Sequence, residues 1–190
     1  MRRYAFGTLA MVMVLVWGLA GTAAADEYTD TIALFKKSPA VKTFFKNAYG
    51  YAVFPNVGKG GIGIGGAYGK GRVYRRGKVT GTVSLFKASI GLQLGGQVFS
   101  EMIFFKDKRA YDDFTSGNFE FDATASAVAI TVGAEAQAGT QGTTAGVSSP
   151  GSGNQAASAY RKGMAVFVHA KGGLMFEAAV GGQKFKFTPK

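Results

Sequence analysis

YGYAVFPNVGKGGIGIGGAYGKG, residues 49 to 71, decides the fold class of this chain. Gly58 to Gly71 holds eight glycines. Glycine this dense is unfavourable in a helix, and a residue without Cβ lets other groups come close to the backbone. Upstream, Tyr51 to Phe54 is a β-prone run that Pro55 is expected to stop. Downstream, Arg72 to Tyr74, a turn at Arg75-Arg76-Gly77-Lys78, and Val79 to Phe86 predict a hairpin. Alternation continues through Ile90, Leu92 and Leu94, past Gly95-Gly96, and into Val98 to Phe105. The same texture returns at the end of the chain: Met164 to His169, a turn near Lys171-Gly172-Gly173, Leu174 to Val180, a turn at Gly181-Gly182, and Phe185 to Phe187. Several short strands at this spacing predict an antiparallel sandwich or barrel-like core.

Before the glycine-rich stretch the pattern is helical. Ile32 and Phe35 lie three apart, and Lys36 and Lys37 close that turn. Ser38 followed by Pro39 reads as an N-cap and a first helical residue. Val41, Phe44, Phe45, Ala48 and Tyr49 then form one stripe of 3.6 period, with Lys42 and Lys46 on another face and Gly50 where a helix would end. Two short helices meeting at Ser38-Pro39 are expected. Asp107 can cap a third, carrying Ala110, Tyr111 and Phe114 and ending at Gly117. The expected fold class is therefore α+β. Ala123 to Ala138 fits helix and strand equally, and Thr140 to Ser158 has the composition of a flexible loop.

The first 25 residues have the three parts of a secretory signal peptide: Arg2 and Arg3, the apolar run Leu9 to Leu19, and the small pair Ala23 and Ala25. Removing them leaves residues 26–190, suited to one domain, in a periplasmic or secreted location. The 22 basic and 11 acidic residues give +11, a sign that gathers anions. Export argues against nucleic acid among them. With no cysteine there are no disulfides, no thiolate metal site and no cysteine nucleophile.

Catalytic motifs fail on inspection. Gly61 to Gly66 matches G-x-G-x-x-G, but Ala67-Tyr68-Gly69 opens no helix and no acid follows about 20 residues on. Gly69-Lys70 and Gly77-Lys78 lack the Ser or Thr of a phosphate loop. His169 is the one histidine and has no second histidine or cysteine to share a metal with. Asp107, Asp112 and Asp113 cluster beside Lys106, Lys108 and Arg109, mixed charge that on a short helix reads as a solvated face. Glu101, Glu135 and Glu177 stand in apolar stretches, facing solvent or lining a polar pocket. No catalytic residue, metal or cofactor is implied.

The basic residues cluster better. Lys36, Lys37, Lys42 and Lys46 belong to the helices; Lys59, Lys70, Arg72, Arg75, Arg76 and Lys78 belong to the glycine-rich hairpin. Phe35, Phe44, Phe45, Tyr49, Tyr51, Tyr68 and Tyr74 are interleaved with them. A basic amphipathic helix beside aromatics can hold an anionic membrane surface. The plainer expectation for Val41, Phe44 and Phe45 is that they dock on the β core and leave the lysines facing water.

Tyr49 to Gly61, YGYAVFPNVGKGG, resembles the SYLF domain family, as do Gly63 to Gly69, Phe104-Phe105-Lys106, and Phe121-Asp122-Ala123 with Ala127-Val128-Ala129. The likeness spans about Ile32 to Lys190. It implies a lipid-binding role with phosphoinositides or other acidic phospholipids as ligands, an N-terminal amphipathic helix and basic residues taking part. Lys36, Lys37, Lys42 and Lys46 match that helix by position and type. Two departures are the missing lipoprotein cysteine and the long segment 140–158. The expected function is non-catalytic binding of anionic phospholipid by an exported envelope protein, peripheral at a membrane surface. Rival readings are a protein that meets an acidic protein or polysaccharide, an outer-membrane β-barrel, and a hydrolase using Glu101 or Asp122.

Overall fold

The computed structural model describes residues 23–121, 130–132 and 160–190, with backbone alone for 23–26, 130, 131 and 174–181. Two helices, α1 (Ala23–Lys37) and α2 (Pro39–Asn47), lead into β1 (Gly50–Arg75) and β2 (Lys78–Phe105). A short helix α3 (Lys108–Phe114), β3 (Asn118–Phe121), β4 (Ile130–Thr131) and β5 (Met164–Pro189) follow. The sheet order is β1-β2-β5-β3, antiparallel, with β4 added parallel to β5. This is the α+β architecture that the sequence predicts. The helix break also falls where expected, at Ser38, although the Ser38 side chain makes no capping hydrogen bond. Asp107 does cap α3, its carboxylate accepting from the Ala110 N–H at 2.9 Å.

The strands differ from expectation. The several short strands are three long ones of 26, 28 and 26 residues. Pro55 does not stop β1, because β1 is an edge strand and a missing N–H there breaks no ladder bond. It sits in a register shift between Phe54 and Val57, and its carbonyl accepts from Ser100 Oγ at 2.7 Å. Gly50 does not end a helix: α2 closes at Ala48, whose N–H donates to the Phe44 carbonyl, and Gly50 opens β1. Gly172-Gly173 and Gly181-Gly182 are not turns between strands, since β2 and β5 stay paired through both, with one register shift at Lys171.

The glycines bend the sheet instead of interrupting it. At Gly61 an added Cβ would lie 2.4 Å from the Gly65 Cα, so β1 doubles back there. Ser89 and Gln93 clamp the matching bend in β2: Ser89 Oγ donates to Gln93 Oε1 at 2.9 Å, and Gln93 Nε2 donates to the Gly63 carbonyl at 3.2 Å. The two halves of the sheet then close on one another. A Cβ at Gly71 would meet the Phe54 ring at 2.7 Å, and the Phe54 and Phe185 rings are 5.9 Å apart. Between the halves lies the main core: Ala52, Phe54, Val57, Val73, Val83, Leu85, Ile103, Phe105, Phe121 and Phe185, with Ala110, Tyr111 and Phe114 from α3. The second core forms on the outer face of the first half, where Val53, Met102, Phe104 and Phe167 meet Phe35, Val41 and Phe44 of the helices. The hairpin turn is the expected one, with Arg76 at φ 50° and Gly77 at φ 76°, the two positive φ values of a primed two-residue turn.

Candidate surface for an anionic ligand

The helical lysines face outward because the apolar stripe beneath them is used. Val41 and Phe44 are buried, and the Phe44 ring packs 4.8 Å from Phe167 and 5.7 Å from Phe104. Lys36, Lys37, Lys42 and Lys46 are exposed. Lys36 Nζ lies 5.4 Å from the Phe45 ring centre, a cation–π distance that holds its stem against the helix. The helices are thus docked through their apolar face and leave these four lysines exposed.

The hairpin cations fall into four places. Arg75, Arg76 and Lys78 are exposed around the turn, and the Arg75 guanidinium sits 5.6 Å from the Tyr111 ring centre. Arg72 stacks on Tyr28 of α1 at 4.1 Å, joining the hairpin to the helical segment. Burial raises the Tyr28 phenol, while the Arg72 charge pulls it down. Lys70 is exposed on the outer face. Lys59 is half-buried in register with Gln97, on the inner side of the bend. The ten basic residues do not form one cluster: the turn follows the end of β1 and the bend lies near its middle, about Gly61, and Lys59 belongs to the bend.

The acids are placed by ordinary structural roles, with one exception. Asp112 and Asp113 pair with Lys108 and Arg109 at 2.6 and 3.1 Å in exposed i,i+4 bridges. The exception is Glu101, 1% exposed on the inner face of β2. Burial pushes its carboxyl up to about 7, against the opposing pull of the Lys87 charge and a hydrogen bond with Gln183. Its Oε1 has no hydrogen-bond partner among the described residues. Glu101 takes neither of the expected places, solvent-facing strand or polar pocket, but is buried between the half-sheets; Glu135 lies outside the described residues, as does the side chain of Glu177. His169 is half-buried against Phe35, with ring centres 6.4 Å apart. Among the described residues no three His, Cys, Asp or Glu side chains come together as a metal site, and no helix is long and apolar enough to cross a membrane. The apolar run Leu9 to Leu19 and the segment 140–158 lie outside the described residues; the expected cleavage point after Ala25 falls in the first turn of α1.

One feature of the surface escaped the sequence pattern. Ile62, Ile64, Ile90, Leu92 and Leu94 gather at the bend and are 61 to 79% exposed. Their alternation with glycine reads as ordinary strand, and nothing local shows that the strand folds over there.

The family model for Ysc84, described as Las17-binding protein actin regulator, matches residues 86–187, just over half of the chain. A curated relative, beta cell expansion factor A from Aeromonas veronii, is 33% identical over 109 residues. That match takes in 56% of this chain and 41% of the relative, so the chain spans well under half of the relative's length. No solved structure matches. The chain belongs to the Ysc84 family, the family of the SYLF domain.

Proposed function

We propose that this protein binds the surface of anionic phospholipid bilayers without chemistry, as an exported protein of the cell envelope. One observation carries the reading. From Thr31 to Ser100 the chain has eleven basic residues and no acidic one, and eight of the eleven are exposed. α2 and the turn between β1 and β2 therefore present basic side chains with no acid in their own stretch of sequence, while α1 carries Glu27 and Asp30 ahead of Lys36 and Lys37. Such a surface raises the local concentration of phosphate headgroups, with each basic residue near the membrane contributing about 1 kcal/mol. The Ysc84 family supports a binding role of this general kind.

The test is co-sedimentation of the protein with phosphatidylcholine vesicles that contain or lack phosphatidylglycerol, at low and high salt. Binding to the anionic vesicles alone, weakened by salt and by joint replacement of Lys36, Lys37, Lys42 and Lys46 with Ala, is the expected result. All four side chains are exposed, so the variant should fold. Equal binding to both vesicle types, or none, would refute the proposal.

A further inference from the structure

Residues directly opposite one another in an antiparallel ladder share a face, so the register lays out the outer surface of the second half-sheet rung by rung. Farthest from the bend is Lys70–Ser84–Lys186, then Tyr68–Phe86–Lys184, then Gly66–Ala88–Gly182. Ile64–Ile90 comes next, and at the bend itself Ile62 stands opposite Leu94 with Leu92 beside them. The composition changes in one direction: lysines, an aromatic pair, small residues, then large aliphatics. Tyr68 and Phe86 touch, with ring centres 5.1 Å apart, and are 46 and 47% exposed. Lys70, Lys184 and Lys186 are exposed; Lys184 lies 3.4 Å from Glu120 on β3, the acid beside this face. At about 3.3 Å per strand residue, Tyr68 is roughly 13 Å and Lys70 roughly 20 Å along the strand from Ile64.

That order matches the layers of one leaflet: hydrocarbon, the interface where aromatic rings collect, and the anionic headgroups. The aliphatic side chains stand 61 to 79% exposed at the bend, and a protein partner would need a shaped recess to cover them. A fluid acyl layer needs none. A patch of this size is uncommon on a surface that meets only water. A second copy of the chain would bring a like-charged lysine rung against the first, whereas anionic lipid complements it. We propose that the bend is a bilayer-insertion tip: Ile62, Ile64, Ile90, Leu92 and Leu94 enter the acyl layer, Tyr68 and Phe86 lie at its interface, and Lys70, Lys184 and Lys186 meet the phosphates. This rests on the lipid-surface function above and adds to it an orientation and a depth. Insertion stops at the side chains, because β1 is an edge strand and hydrocarbon cannot satisfy the unpaired backbone groups along that edge.

The chain has no cysteine, so Leu92→Cys gives a single site for an environment-sensitive dye, with Ser116→Cys beside α3 as the control. On vesicles containing phosphatidylglycerol, the dye at position 92 should shift to the blue and be quenched by spin labels carried on lipid chains. The dye at position 116 should do neither. Replacing Ile90, Leu92 and Leu94 together with Asn should leave salt-sensitive co-sedimentation detectable, while a dye at Tyr68→Cys loses its quenching by the same lipid-borne labels. Co-sedimentation with an unchanged dye at 92 would overturn the tip and leave the surface reading standing. Absence of co-sedimentation would overturn both. A concentration-dependent dye shift without vesicles would assign these aliphatic side chains to a second copy and overturn the tip.

Discussion

Replacing Glu101 with Gln should make the folded protein less sensitive to alkaline pH. Glu101 is buried, and its carboxyl is pushed from an ordinary value of 4.5 to about 7. A raised carboxyl binds its proton more tightly in the folded than in the unfolded chain. The favourable contribution is therefore complete below about pH 4.5 and is lost as pH climbs through about 7. Each pH unit of difference is worth about 1.4 kcal/mol, so the wild-type chain should lose about 3 kcal/mol from this group between roughly pH 4.5 and pH 8. Gln has nearly the shape of Glu and no proton to lose. Any constant cost of its amide cancels when one pH is compared with another. Urea unfolding midpoints, measured for both chains across this range, give the slope directly. The expected outcome is a difference that grows in favour of Gln as pH rises. Parallel profiles would refute the reasoning and mean that water reaches the carboxylate. A difference growing in favour of the wild type would mean that Glu101 is held ionised by Lys87, the charge beside it.

Two further outcomes test the packing and the turn. Phe44→Ala removes the ring that joins α2 to Phe104, Phe167 and Tyr160, and should destabilise the fold by about 3 kcal/mol in urea, the low end for a buried aromatic. If α2 instead lifts off without affecting the sheet, the unfolding midpoint will not move. Arg76→Asn places a residue that tolerates positive φ at the first turn position, ahead of Gly77, and should stabilise by up to about 1 kcal/mol, read as a higher melting temperature.

Local chemistry made much of this protein legible. Ser38-Pro39, Asp107 and Arg76-Gly77 each fix backbone geometry within a few residues, and all three act where the sequence places them. The docked stripe Val41 and Phe44 was legible for a similar reason, since a 3.6 period puts those positions on one face whatever they pack against. The lack of acids between Asp30 and Glu101 is a property of composition alone.

What the tertiary structure decided is where the glycines lead. A local pattern cannot distinguish a glycine that ends a strand from one that bends it, because both need the same permissive backbone. Here the neighbouring strands decide: β2 is paired on both sides through Gly95-Gly96, so the ladder holds and the sheet folds over. That fold carries Phe54 onto Phe185, buries Glu101 between the halves, and leaves Ile62, Ile64, Ile90, Leu92 and Leu94 outside. The sequence alone determined the helices, the hairpin and the charge. Long-range pairing decided which apolar side chains became core and which remained exposed at the tip, since burial depends on residues far apart in the chain.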